Sequence, residues 1–373
     1  MTARERVLTL LSGKQPDQVP WFGDLDYWAT ALVGRGQMPQ GFQQSKAYID
    51  WHRELGVGFY LQGYFPFKAT IENCEVKEWK EGPHRYRQIT TPKGTLRECW
   101  QWMADDFTEG PIEHLVKSLA DLPAYQYLHA HTRYEPDYDF ARHRSEQLKA
   151  TGAGVMLAYL PKSPLMQMVA LDAGIMAVVE MMADDEALFA ETIAVVKQSH
   201  DRAARLAVDS PAEVLMMPEN LSSEVVGPAL FERFMRPYQT EWAAAIRAAG
   251  KFSCIHLDGT LKGLLKQECS VGLSFIEAMT PAPVGDLAVE EWAGFCGNPD
   301  TILWGGIPGG YFTALVTDSE FDRHVRQVLS VMRRSPRYVL GVADQVPPGG
   351  LESRVRRVRE LLDEFGCYQE IVK

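Results

Sequence analysis

Eight short apolar runs, most of them followed by a longer amphipathic stretch, leave this chain few folds to choose from. The runs lie around residue 19 and over residues 57–61, 154–159, 214–217, 252–256, 273–277, 301–304 and 338–341. Helical spacing fills residues 45–55, 165–182, 184–208, 228–249, 261–268, 318–334 and 350–365. A buried strand followed by a helix, repeated eight times, predicts an α/β fold: a closed parallel (β/α)8 barrel of the TIM type. A chain of 373 residues can hold one such barrel, 1–373, together with an insertion. The chain opens on a helix: Thr2 and Glu5 form a capping box, Val7, Leu8, Leu10 and Leu11 follow on one face, and Gly13 ends it.

Residues 69–140 break the rhythm. Tyr86 to Trp100 alternates around Thr91-Pro92-Lys93-Gly94, a β-turn with proline at its second position and glycine at its last. This predicts an antiparallel hairpin inserted after the second barrel strand, followed by a polar-aromatic stretch from Tyr125 to Asp139. Placed there, the insertion is expected to cover the C-terminal ends of the strands as a lid or substrate wall.

A net charge of −11 argues against nucleic acid as a partner, because that affinity comes largely from clustered Lys and Arg. The first thirteen residues are charged and amphipathic, unlike a secretory leader. The most apolar stretch, 166–182, is broken by Gln167, Asp172, Gly174 and Glu180, so no membrane span is expected. Six scattered cysteines without paired spacing fit reduced thiols in the cytoplasm.

In a parallel barrel the chemistry sits where strands end. Five predicted strand ends carry an acid or a histidine: Asp24 and Asp26, Glu219, His256 with Asp258, Glu277, and Asp344. Asp258 lies two residues after His256 and therefore on the same side of its strand, and Gly259 lets the chain turn away. Glu277 falls at the matching level of the next strand. One imidazole with carboxylates suits Zn(II) with an open position for substrate. The expected metal set is His256, Glu277 and Glu219, with Asp344 as the alternative third ligand. Glu219 has the competing reading of a partner for Asn220 or a nearby lysine, and Asp344 that of a loop-fixing residue. Asp258 and Asp344 are the candidate catalytic acids. Asp24, Asp26 and Tyr27 are the candidate substrate contacts, or else a solvated loop. The run Gly305-Gly306-Ile307-Pro308-Gly309-Gly310 lacks the Lys-Ser/Thr of a phosphate-binding loop and reads as a cavity wall.

Several stretches resemble the uroporphyrinogen decarboxylase superfamily: Arg4 to Pro20 (RERVLTLLSGKQPDQVP), Pro228 to Tyr238 (PALFERFMRPY), His256-Leu257-Asp258-Gly259, and Asp344-Gln345-Val346-Pro347-Pro348 with Leu351 to Val355 (LESRV). The resemblance spans nearly the whole chain and is weakest over 69–140. The true decarboxylases carry arginines near the first strand that grip a polyanionic porphyrinogen. Here that place reads Trp21-Phe22-Gly23-Asp24-Leu25-Asp26-Tyr27-Trp28, with acids where cations are needed. The superfamily's methylcobamide:coenzyme M methyltransferases hold zinc through His-x-Cys and a later Cys. This chain has His256-x-Asp258 and Asp344 at those places.

Oxygen ligands leave zinc a stronger Lewis acid than thiolates do, which suits polarising the oxygen of a methyl ether. The resemblance therefore implies a zinc-dependent methyltransferase of the corrinoid-linked O-demethylase kind. It would move a methyl group between a small methylated substrate, preferably an aryl methyl ether, and a cobalamin or other corrinoid supplied by a partner protein. A homodimer is compatible with this. The alternatives are a decarboxylase of a small cyclic or aromatic acid, with Asp258 or Asp344 stabilising a protonated intermediate, and a non-catalytic small-molecule-binding barrel.

Overall fold

The computed structural model describes residues 1–60 and 63–369. Its strands are β1 (Trp21–Phe22), β2 (Phe67–Ile71), β3 (Glu75–Glu81), β4 (His84–Thr91), β5 (Gly94–Met103), β6 (Thr108–Glu113), β7 (Thr132–Pro136), β8 (Leu157–Tyr159), β9 (Val214–Leu221), β10 (Phe252–Leu257), β11 (Phe275–Met279), β12 (Ile302–Pro308) and β13 (Tyr338–Ala343). Seven of them form a curled parallel sheet in the order β1-β13-β12-β11-β10-β9-β8, a TIM-barrel-like arrangement. Between its two edges lie Gly58 and Phe59, which bridge in parallel to Phe22 on one side and to Gly154 on the other. These two residues occupy the place predicted for the second strand; Leu61, its expected last residue, lies outside the described residues. Glycine at 58 is a packing requirement, since a Cβ there would lie 2.6 Å from the Phe22 ring.

The two-residue alternation of each strand sorts the core into an inside and an outside. Phe22, Tyr60, Leu157, Met216, Cys254, Phe275, Trp304 and Val339 form the inner cluster. Trp304 is its hub, with ring centroids 5.0 Å from Phe275, 5.3 Å from Phe22 and 5.4 Å from Tyr60. Leu215, Met217, Ile255, Ile276, Leu303 and Leu340 face the other way and pack in the cluster that the surrounding helices share. The N-terminal capping box is formed: Thr2 Oγ1 accepts from Glu5 N at 3.2 Å, and Glu5 Oε2 accepts from Thr2 N at 2.7 Å. Among the described residues no helix is long and apolar enough to cross a membrane.

Two expected helices are interrupted. The stretch 165–182 divides into Pro164–Gln167, a wide turn Met168–Asp172 and Ile175–Asp184, parted at Gly174 with φ 78°. The stretch 228–249 widens at Phe231–Met235 before Arg236–Ala248. The polar-aromatic stretch 125–139 contains a helix, Leu122–Ala130, then β7, and a further helix follows at Asp139–Thr151.

Where one hairpin was expected, residues 75–113 form a four-stranded antiparallel sheet, β3-β4-β5-β6, and β2 pairs antiparallel with β7. Thr91 and Gly94 pair across the Pro92-Lys93 turn. The β5–β6 turn reaches the helix Asp26–Gly34, which directly follows β1: Tyr27 Oη donates to the Asp106 carbonyl at 2.5 Å, and the Arg35 guanidinium stands 5.1 Å from the Phe107 ring centre.

Candidate active site at the strand ends

β10 and β11 run side by side with His256 opposite Glu277, and both side chains take the inward parity set by Cys254 and Phe275. Glu277 Oε2 binds His256 Nδ1 at 2.8 Å. The second ring nitrogen, Nε2, is buried and has no hydrogen-bond partner within the protein. It stands 3.7 Å from Asp344 Oδ1 and 3.9 Å from Asp258 Oδ2. Three of the strand ends use a left-handed backbone at a residue other than glycine: Asn220 after Glu219 (φ 56°), Ala278 after Glu277 (φ 63°) and Asp344 itself (φ 69°). Such conformations cost energy, and these three stand at the ends of strands of the parallel sheet. The register of β11 against β12 also slips between Ile276 and Met279.

Electrostatics here are dominated by carboxylates in a confined space. Burial pushes Asp24 well above the usual carboxylate range, and the charges of Asp26, Asp344 and Glu277 push the same way. Burial likewise raises Asp258 and Asp344, with His256 opposing in both cases. For His256, burial disfavours the imidazolium. The charge and hydrogen bond of Glu277, with Asp258 and Asp344 behind it, outweigh that and hold the ring at about 9. Asp24 Oδ1 accepts from Asp26 N at 2.9 Å, and its carboxyl belongs to this group. Asp26 faces Gln43 and Tyr48 instead, while Tyr27 is held by the insertion. The three expected substrate contacts therefore divide: the charges of Asp344, Glu277 and Asp26 bear on Asp24, and that of Asp344 bears on Tyr27.

Glu219 does not join His256, contrary to the sequence expectation. Met216 points inward on β9, so the alternation turns Glu219 outward with Leu215 and Met217. Fully buried there, its carboxylate accepts from Ser163 N at 3.0 Å and from Ser163 Oγ at 2.9 Å. Burial raises its carboxyl and the Lys162 charge opposes. Its hydrogen-bond partners are Ser163 N and Oγ, while the Lys162 ammonium donates to the Pro218 carbonyl. Glu277, expected as a ligand beside His256, lies at the Nδ1 edge of the imidazole. Two residues that sequence reasoning passed over belong here, Tyr60 and Tyr159. Tyr60 is buried and Tyr159 half-buried, and the charges of Glu277 and Asp24 bear on both. Inward parity was the signal that could have found them.

Among the described residues, no three His, Cys, Asp or Glu side chains stand ready to hold a metal ion. The nearest approach to such a set is His256 Nε2 with Asp258 and Asp344. Donors sharing a tetrahedral zinc at about 2.0–2.1 Å lie roughly 3.4 Å apart, so the observed 3.7 and 3.9 Å need to close by a few tenths of an ångström. A buried imidazole nitrogen facing two carboxylates fits a divalent cation in donor chemistry.

A family model described as uroporphyrinogen decarboxylase (URO-D) matches residues 112–365. No curated protein matches the sequence. Among solved structures, a methyltransferase from Methanosarcina mazei aligns with a TM-score of 0.63 and 13% identity, covering 98% of this chain and 99% of that one. A Streptomyces avermitilis structure described provisionally as an orotidine 5'-phosphate decarboxylase aligns at a TM-score of only 0.28, with 14% identity over 55% of this chain and 69% of that one. That second likeness is too loose to carry an argument.

Proposed function

We propose, from the premise that the chain belongs to the uroporphyrinogen decarboxylase family, that it is a methyltransferase working with a corrinoid carried by a partner protein. The methyl group would come from a small methylated substrate, an aryl methyl ether by preference. One observation carries this reading: His256 presents a buried, unpartnered Nε2 to Asp258 and Asp344 while Glu277 fixes its other edge. The strand-end group offers carboxylates, imidazole and phenols, and the stretch after β1 carries acids where a polyanionic porphyrinogen would need arginines. Support for methyl transfer over decarboxylation comes from the fold likeness to a methyltransferase along nearly the full length of both chains. In this reading the parallel sheet and the Gly58–Phe59 bridges make up one eight-stranded barrel over the whole chain, with the 67–136 segment as the wall of its mouth.

His256 Nε2, Asp258 and Asp344 would hold zinc, which when bound supplies a Lewis acid for the ether oxygen. Glu277 accepts from Nδ1, the usual second partner of a metal-binding imidazole, so Nε2 is the nitrogen that would give up its proton to bind the ion. Asp24, raised by burial and by neighbouring carboxylates, accepts from Asp26 N through Oδ1 and would contact the substrate beside the His256 group. The tyrosines at 60 and 159 and the insertion exclude water and give the aromatic ring a wall to lie against.

The test compares zinc content and turnover in the wild-type protein and in His256→Ala. The wild type should bind one equivalent of zinc and release a phenol from a methoxyarene only when reduced corrinoid is present. His256→Ala should lose the zinc and at least about a hundredfold of the activity, with its melting temperature nearly unchanged, because barrel stability resides away from the strand ends. A full equivalent of zinc in that variant would remove the site assignment. Release of CO2 from a carboxylic acid without corrinoid would replace the function by a decarboxylase.

A further inference from the structure

At the opposite end of the sheet, where β10 to β13 begin, lies a cavity of about 700 Å³. Leu10, Leu11 and Gly13, at the end of the helix Ala3–Leu11, line it together with residues at the starts of those four strands. Small-molecule sites occupy roughly 300–1,000 Å³. Phe252, which lines the cavity on β10, precedes His256 by roughly 13 Å of strand. Nothing in the proposed methyl-transfer chemistry uses this end of the molecule.

Three cations from three separate segments line the cavity: Arg247 in the last turn of the helix Arg236–Ala248, Lys251 just before β10, and Arg337 just before β13. Each head group is pinned to main-chain carbonyls and not to a carboxylate. Arg247 Nη2 donates to Gly272, Lys251 Nζ to Val208 at 2.6 Å and to Ser210, and Arg337 Nη2 to Asn298 at 2.8 Å and to Thr301 at 3.0 Å. Carbonyls fix the position of a cation without cancelling its charge. Even a whole helix end, such as the one at Val208, amounts to about half an elementary charge. Arg337 Nε is buried with no hydrogen-bond partner among the described residues, so its guanidinium keeps an unspent donor. The acid in the lining is Asp300, which leaves the cavity with about two positive charges in a chain whose net charge is −11.

We propose that this cavity is a binding site for a small organic phosphate, whose phosphate group is held by Arg247, Lys251 and Arg337. A phosphomonoester carries about −1.5 to −2 charges at pH 7, which matches the charge left over in the cavity. Guanidinium forks offer paired N–H donors to its oxygens, and the lysine adds a point charge. The organic part lies against Leu11, Phe252, Pro299 and Pro336, the apolar side of the lining. Because the ligand touches the first helix and the starts of four strands at once, it binds the folded chain alone and raises its stability.

The test titrates the full-length protein with AMP, inorganic phosphate and adenosine in a calorimeter, in a chloride buffer. AMP should bind one-to-one and raise the melting temperature, phosphate should displace it, and adenosine should not bind. Arg247→Gln and Lys251→Gln should each weaken AMP about tenfold or more, as expected for charge-assisted contacts. His256→Ala should leave AMP binding unchanged, which separates this site from the strand-end group and from any failure of the methyl-transfer reading. Arg247 is exposed, so its variant decides the matter if Lys251→Gln does not fold. AMP that gives neither heat nor a rise in melting temperature at about ten millimolar overturns the proposal. So does AMP binding that both variants keep in full, that adenosine matches, that phosphate does not displace, or that His256→Ala removes.

Discussion

At His256 the two ring nitrogens meet different partners, and Glu277 and Glu219 show how far one step of strand parity can separate two acids. Glu277 faces the barrel axis and holds Nδ1; Glu219, at a similar height on β9, faces outward and is held by Ser163. Replacing each should therefore give opposite phenotypes. Glu277→Gln should weaken zinc binding about 10- to 100-fold while the melting temperature stays within a degree or so, as expected for a partner that orients a metal-binding imidazole. Glu219→Ala should leave zinc affinity alone and cost about 1–3 kcal/mol of stability, because the buried Ser163 N–H and hydroxyl lose their acceptor. Zinc titration and chemical denaturation of both variants check this together. His256, Asp258, Glu277 and Asp344 were all legible in the sequence as strand-end acids and an imidazole. Their division of labour was not, because the phase of a short apolar strand, inward or outward, depends on pairing with neighbours far away in the chain.

Elements whose apolar pattern was long and continuous were recovered with small shifts at their ends; those stabilised by local exceptions were not. Residues 165–182 read as one helix because the apolar spacing runs through, yet the chain widens at Met168–Asp172 and turns at Gly174. Asp172 is the anchor of that departure, accepting from Tyr125 Oη at 2.5 Å and from Gln167 Nε2 at 2.9 Å. Burial raises its carboxyl to about 6 from 3.8, with the two hydrogen bonds opposing. A carboxyl raised in the folded state favours folding most below pH 3.8, and that contribution is lost as pH rises through about 6. Asp172→Asn should therefore remove up to about 2–3 kcal/mol of the fall in stability between pH 4 and pH 7. Denaturation midpoints at a series of pH values would show a flatter profile than the wild type; an unchanged profile would clear Asp172 of this role. The Gly58–Phe59 stretch offers a second test at this scale. Gly58→Ala puts a methyl group 2.6 Å from the Phe22 ring, and the strain should cost about 1–3 kcal/mol, read in a urea melt.

Over the whole molecule, strand–helix alternation was enough to predict a parallel barrel-like sheet, and a curled parallel sheet of seven strands is observed. The insertion was harder to read. β3 is almost entirely exposed and highly charged, so it lacks the apolar alternation that betrays a half-buried strand, and a four-stranded sheet looked like one hairpin. Its β5–β6 turn nevertheless touches the helix after β1, so the insertion and the strand-end acids share one side of the molecule. In the proposed function this side transfers a methyl group from a methylated substrate to a corrinoid. The most direct measurement supplies a methoxyarene labelled with carbon-13 in its methyl group, together with reduced corrinoid and zinc-loaded protein under anaerobic conditions, and follows the label by NMR. The label should appear on the corrinoid in one-to-one proportion with free phenol, and His256→Ala should abolish both signals. Label that stays in the ether across a panel of methylated substrates, while an unlabelled carboxylic acid loses CO2, would contradict it.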